Sequence, residues 1–406
     1  MVPPAEAVPT TPTREASPAA VTLAGLTALA VAMGIGRFAF TPILPMMQKD
    51  AGLSVADGGW LASANYLGYL LGAVSAMLLR VRPATAIRVG LVVIGLSTLG
   101  MGLERRFAAW IVLRALAGIG SAWALVFALT WCLERLATVR RPLLNGAVFA
   151  GVGTGIAVAG GVCLVFMKAS ASSAQAWISL GVISLAGTAV IWPTLGAGDG
   201  AGVGDRRRST ARRQRWNPDS VRLVLCYGAF GFGYIIPATF LPVMARQMVH
   251  DPSVFGWSWP VFGAAAALSP LAAAVWARRV GNRHLWVLGQ LVMALGVALP
   301  VSWPAIGGIM VAALAVGGTF MVITLAGMQE ARVVAGPHAT GLMAGMTSAF
   351  GIGQIAGPLL VSSTVGADAD FSQPLLLACL LLVASAYGLS RRRERADAAR
   401  VEVMDR

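Results

Sequence analysis

The sequence predicts an all-α integral membrane protein: twelve transmembrane helices arranged as two pseudo-symmetric six-helix bundles. Three observations predict it: twelve apolar runs of membrane-crossing length, a one-sided distribution of arginine between them, and a repeat relating the two halves. Of 406 residues, 57% are hydrophobic and 12% charged. That is too little charge to cover a water-soluble domain, but it suits a bundle whose outer surface meets lipid. The 48 glycines would penalise soluble helices. In a membrane, small residues let helices approach closely.

A span needs about 20 apolar residues to cross roughly 30 Å of hydrocarbon. Residues 1–20, rich in Pro, Ala and Thr, show no charged-then-apolar pattern ending in a cleavage site, and read as a disordered cytoplasmic tail. The first six runs lie at 21–45, 58–79, 86–103, 108–133, 143–167 and 175–195, making an N-terminal bundle over 21–195. A Gly-rich, then Arg-rich linker follows at 196–217. The other six lie at 219–245, 254–277, 284–300, 305–329, 339–364 and 372–390, within a C-terminal bundle over 218–390; a basic tail, 391–406, closes the chain.

With an even number of spans the termini share a side, and basic residues in short loops decide which. Of 31 lysines and arginines, Arg37 and Arg114 fall inside spans; Lys49, Arg105, Arg106, Lys168 and Arg246 fall on one side; the remaining 24 fall on the side of the termini. The bias places both termini in the cytoplasm of a bacterial-type inner membrane. One missed helix would invert every later loop, so the bias also supports the count of twelve.

Shifting the first half by 197 places Gly34, Gly36, Leu44, Pro45 and Met47 on Gly231, Gly233, Leu241, Pro242 and Met244, and Gly59-Trp60 on Gly256-Trp257. Repeated halves characterise many secondary transporters, with the solute site near mid-membrane between them.

From here the chain resembles the major facilitator superfamily over nearly its whole length. Arg114-Ala-Leu-Ala-Gly118-Ile-Gly120 is similar to the family's Arg-x-x-x-Gly-x-Gly motif. The stretch from Ala277 through Arg278, Arg279 and Gly281 to Arg283 resembles its basic loop motif, whereas Leu79-Arg80-Val81-Arg82-Pro83 departs from it. Gly151, Gly153 and Gly155 resemble the antiporter glycine motif without its proline; a proline stands instead in the later Gly351-Ile-Gly353-Gln354-Ile-Ala-Gly357-Pro358. The run from Gly34 to Pro45 looks like the YbfB/YjiJ-type branch. The resemblance implies a major facilitator fold with spans one, four, seven and ten around a central cavity. The glycine spacing in spans five and eleven permits close helix crossing, read either as a bearing for rocking halves or as packing alone; the gating candidates are Gly151, Gly153, Gly155, Gly351, Gly353, Pro358, Arg278, Arg279, Gly281 and Arg283.

An arginine in hydrocarbon is costly and should face protein or water. Arg37 lies about 12 Å, and Arg114 about 9 Å, from the outer ends of their spans at 1.5 Å per residue. No Asp or Glu lies mid-span, so the arginines lack an obvious buried counter-ion; Asp57 and Glu104, at the outer edge, are the acids within reach of one. The expectation is an electropositive outer cavity for an anionic or strongly hydrogen-bonding solute. The alternative is that the arginines bond helix carbonyls or tie spans together. Arg37 maps onto Tyr234 in the repeat, so the halves are unequal there, which argues against a symmetric two-arginine phosphate clamp. Thr41, Trp123, Tyr227, Thr319 and Thr324, with Asn65, Tyr66, Tyr69 and Gln354, are further candidates.

No Gly-Lys-Ser/Thr ending follows any Gly-rich run, which argues against ATP hydrolysis. Cys132, Cys163, Cys226 and Cys379 each stand alone in apolar stretches, without metal or disulfide spacing. The expected protein is not an enzyme and needs no cofactor, metal or nucleic acid. Its partners are the bilayer, a small solute and, if coupled, protons, and a monomer suffices. The leading function is secondary transport by alternating access, by proton-linked import or efflux; without mid-span acids, facilitated diffusion and coupling through solute-borne protons stay open. A transporter-derived sensor or scaffold without flux is the rival class.

Overall fold

A computed structural model describes residues 16–79, 81–136, 142–196, 217–336, 339–366 and 370–404. Most of the expected N-terminal tail and linker lies outside them. Among the described residues run twelve membrane-length helices: α1 (Pro18–Asp50), α2 (Val55–Leu78), α3 (Pro83–Leu103), α4 (Phe107–Leu136), α5 (Pro142–Lys168), α6 (Ser173–Gly196), α7 (Pro218–Met248), α8 (Ser258–Val280), α9 (Asn282–Ser302), α10 (Ile306–Ala335), α11 (Ala339–Thr364) and α12 (Ser372–Met404). Ten are long and apolar enough to cross a membrane; α2 and α8 complete the set.

Local chemistry sets several starts. Ser17 accepts a hydrogen bond from Ala20 N–H at 3.2 Å and Pro18 opens α1, a pairing suited to a helix N-terminus. Ser54 and Asp57 form a reciprocal capping box on α2. Asn217 accepts from Ser220 N–H at 2.7 Å ahead of α7. Gly281 turns the chain into α9 at φ +79°, a conformation that favours glycine. An extra helical turn, Pro252–Phe255, precedes α8. The expected twelfth span ends at 390, but α12 runs on to Met404, because its Arg, Glu and Ala residues are good helix formers and contain no breaker.

In the first six helices α1 packs on α4, α5 and α6, and α4 on α2 and α3; in the last six α7 packs on α10, α11 and α12. The halves meet along α5–α8, α2–α11 and α1–α7. Under the 197-residue shift α2 matches α8 and α5 matches α11, so the first two contacts are images of one another, as a two-fold relation requires.

The glycines of α5 serve two faces. Gly151 and Gly155 lie against the Leu26 and Ala30 carbonyls of α1, while Gly153, half a turn away, lies against the Ala266 and Ala267 backbone of α8. At each, a Cβ would collide with backbone atoms.

Candidate functional site

The site begins with a defect in α1. Residues Ala30–Ile35 form a π-helical segment, continued where Gly36 N–H and Phe38 N–H reach five residues back to Val31 and Met33 carbonyls at 2.9 and 3.1 Å. Pro42 has no N–H to give Phe38, whose carbonyl instead takes Thr41 N–H at 3.2 Å. The carbonyls of Gly36 and Arg37 are thereby released from the helix ladder.

Side chains of neighbouring helices take them up. Arg114 on α4 donates to Gly36 O at 3.4 Å and Arg37 O at 3.1 Å, with its guanidinium over the Phe40 ring at 4.9 Å. Asn65 on α2 donates to Gly36 O at 3.3 Å and Arg114 O at 2.9 Å. Both fit the alternative in which a buried arginine bonds broken-helix carbonyls.

Arg37 points the other way. It is 1% exposed and faces the junction of the halves. Its guanidinium lies 4.2 Å from the Tyr69 ring centroid, 4.9 Å from Tyr66 and 5.5 Å from Phe38, within cation–π range. It donates through Nη2 to the Gln354 carboxamide oxygen on α11, and the Gln354 amide donates to the Tyr234 hydroxyl on α7. Since guanidinium only donates, the amide orientation is settled. Arg37 Nε has no hydrogen-bond partner.

Neither outer-edge acid reaches these arginines. Asp57 is held by Ser54 N–H and Oγ, at 3.0 and 2.7 Å. Glu104 pairs with Arg106 at 3.0 Å. Each finds its partner within three residues, at a helix end where both stay solvated. Among the described residues, neither buried arginine forms an ion pair with a carboxylate.

Other candidates fall in different places. Thr41 donates to Ala238 O of α7 at 2.8 Å. Trp123 donates to Ser75 at 2.9 Å within the first half. Thr319 and Thr324 bond back to Ala315 O and Phe320 O of their own helix. Tyr227 stands in an aromatic group with Phe230, Trp286 and Phe350. Gly351 faces Leu70 of α2, Gly353 faces the α7 backbone, and the Pro358 carbonyl approaches Gly59. Arg283 pairs with Asp219 at 3.1 Å and Glu330 at 3.5 Å and donates to Leu389 O at 3.0 Å, tying α9 to α7, α10 and α12 near the chain termini. The side chains of Arg278 and Arg279 lie outside the described ones.

Among the described residues, six side-chain hydrogen bonds join the halves, and these lie from the level of Arg37 toward the end away from the termini. They are Arg37–Gln354, Thr41–Ala238, Tyr66–Thr239, Ser63–Ile355, Ser362–Ala56 and Arg246–Pro45. Sequence reasoning gave no role to Thr239 or to Phe38, Phe320 and Phe350, whose rings crowd the same level. An aromatic in a helix apolar all round carries no periodic signal.

A model of the family described as "Uncharacterised MFS-type transporter YbfB" matches residues 29–389. No curated protein matches the chain. Among solved structures, a mutant form of the nucleoside transporter NupG aligns with a TM-score of 0.72 over 91% of this chain and 98% of that one, at 13% identity. At that identity the likeness concerns the fold.

Proposed function

Because the chain belongs to the family of MFS-type transporters typified by YbfB, and so is a secondary transporter of a small solute, we propose that its solute is an organic anion received by Arg37. One observation carries the reading: a buried guanidinium at the meeting of the halves, with an unpartnered Nε and, among the described residues, no carboxylate paired to it. A buried cation without a counter-ion is unfavourable, and an arriving anion supplies what is missing. Arg114, facing backbone carbonyls, holds the broken α1 that presents Arg37.

The six hydrogen bonds between the halves support a state shut on the side away from the termini, which the arginine bias makes the extracytoplasmic side of an inner membrane. At about 0.5–1.5 kcal/mol net each, their loss on opening is of the order that a rocking exchange between two closures can offset. The close α5–α8 crossing at Gly153 is the bearing of that motion. No mid-span carboxylate offers a proton carrier, so proton linkage runs through the solute or through groups at the helix ends. A monomer is the transporting unit.

The test is uptake of labelled carboxylates by proteoliposomes holding wild type, Arg37→Lys and Arg37→Ala. Arg37→Ala is expected to lose about 2–5 kcal/mol of anion binding, and Arg37→Lys, which keeps the charge without the planar fork, to lose less. Unchanged uptake in both variants defeats the reading. Absence of flux for every solute, with ligand binding intact, would favour a sensor instead.

A further inference from the structure

The contacts around Arg37 describe more than a charge. Gln354 bridges Arg37 and Tyr234, accepting from the first and donating to the second. A carboxylate in that place would accept from both, because a phenol hydroxyl can donate as well as accept. The neighbouring residue, Phe38, sends its ring from the first half across to the second, with its centroid 6.3 Å from Trp259 and 6.5 Å from Phe320. There it meets a run of rings from three helices. Trp259 and Phe262 lie 4.6 Å apart, Phe262 and Phe320 5.8 Å, and Phe320 and Tyr234 5.8 Å with planes 3° apart.

Building on the anion reading, we propose that the solute is a flat aromatic monocarboxylate, and that in the closed arrangement the chain's own side chains stand where it would lie. The Gln354 carboxamide stands for the carboxylate and the Phe38 ring for the aromatic group. When the halves part, the surfaces uncovered at this level carry the Arg37 guanidinium edge, the hydroxyls of Tyr234, Tyr66 and Thr239, and a wall of ring faces. Ring faces are electronegative, so a second carboxylate on the solute would lie against like charge. A ring stacks on the wall where a saturated ring of equal size only fills space.

Calorimetric titration of the purified full chain with benzoate, cyclohexanecarboxylate, benzamide and terephthalate tests this. Benzoate is expected to bind roughly tenfold or more tightly than each of the others, a difference of about 1.4 kcal/mol, and to weaken in Tyr234→Phe, which keeps the ring and removes the donor. Equal binding of cyclohexanecarboxylate, or equal or tighter binding of terephthalate, overturns the flat-monoanion assignment while leaving the anion reading intact. Equal binding of benzamide overturns the anion reading itself. No binding of benzoate overturns the aromatic assignment; whether other anions are carried is then read from the uptake assay.

Discussion

Replacing Gly153 by alanine adds one methyl group where α5 crosses α8. The new Cβ would lie 2.6 Å from Ala267 Cα, and nearer still to the Ala267 nitrogen, where ordinary contact begins at 3.4 Å. Both neighbours are backbone, so no rotamer change relieves them, and the helices must separate by roughly 1 Å. Overpacking of this kind costs about 1–3 kcal/mol. A control lies two turns along the same helix: nothing stands within 4 Å of a Cβ at Gly161. Gly161→Ala should therefore gain the helix preference of alanine, about 0.5–1 kcal/mol. The two variants have the same chemistry and opposite expected signs. Apparent melting temperatures of the purified proteins in one detergent provide the assay, with transport in parallel: Gly153→Ala falls below wild type and loses flux, and Gly161→Ala does neither. A Gly153→Ala protein as stable and active as wild type would refute the tight-crossing argument. Equal destabilisation by both would show that glycine matters here for some reason other than contact.

Arg114→Met removes the donor to Arg37 O and one of two donors to Gly36 O, with an expected loss of about 1–3 kcal/mol; Arg37→Met should keep its melting temperature while losing anion binding, and the reverse pattern would exchange their roles. Cysteines at Gly59 and Ser362 would place Cβ atoms 3.2 Å apart, close to the roughly 3.5–4.5 Å of a disulfide, with the new Cβ at Gly59 also 2.7 Å from the Pro358 carbonyl oxygen, so the reduced double variant is the reference; oxidation should cross-link α2 to α11 and stop the transport it retains until reduction, and full transport in the cross-linked protein would show that this end need not open. The Arg106 guanidinium, aided by the backbone N–H groups of Arg105 and Arg106, holds the Glu104 carboxyl down at about 2 from 4.5. The folded value lies below the unfolded one, so this small contribution is present above about 4.5 and is lost as pH falls toward about 2. Melting temperatures of wild type and Glu104→Gln should converge across that window, and a constant gap would count against it.

The twelve helices were legible because hydrocarbon thickness fixes span length, and the two halves because a constant offset survives in Gly-x-Gly…Leu-Pro-x-Met. Arg37 was legible as a charge in the wrong solvent. Its hydrogen-bond partner was not: Gln354 lies 317 positions away, and a glutamine among glycines gives no hint of an arginine opposite. The role of Arg114 depended on a π-helical defect, of which the sequence carries only Pro42. That Asp57 and Glu104 lay within reach of the buried arginines followed from depth along the membrane. Depth is silent about local competition, and Ser54 and Arg106 are closer to hand.

Thr41 and Ala238 are separated by 197 residues, the offset of the repeat, so Thr41 is bonded to its own counterpart. A position that touches its counterpart lies on the pseudo-dyad. Two separate identical chains would set like against like there: hydroxyl against hydroxyl, and one level deeper guanidinium against guanidinium. Fusion into a single gene removes that constraint, since each copy then drifts alone. Here a threonine faces a carbonyl, and an arginine has a tyrosine as its counterpart. Along that line the two halves can present different chemistry to whatever passes between them.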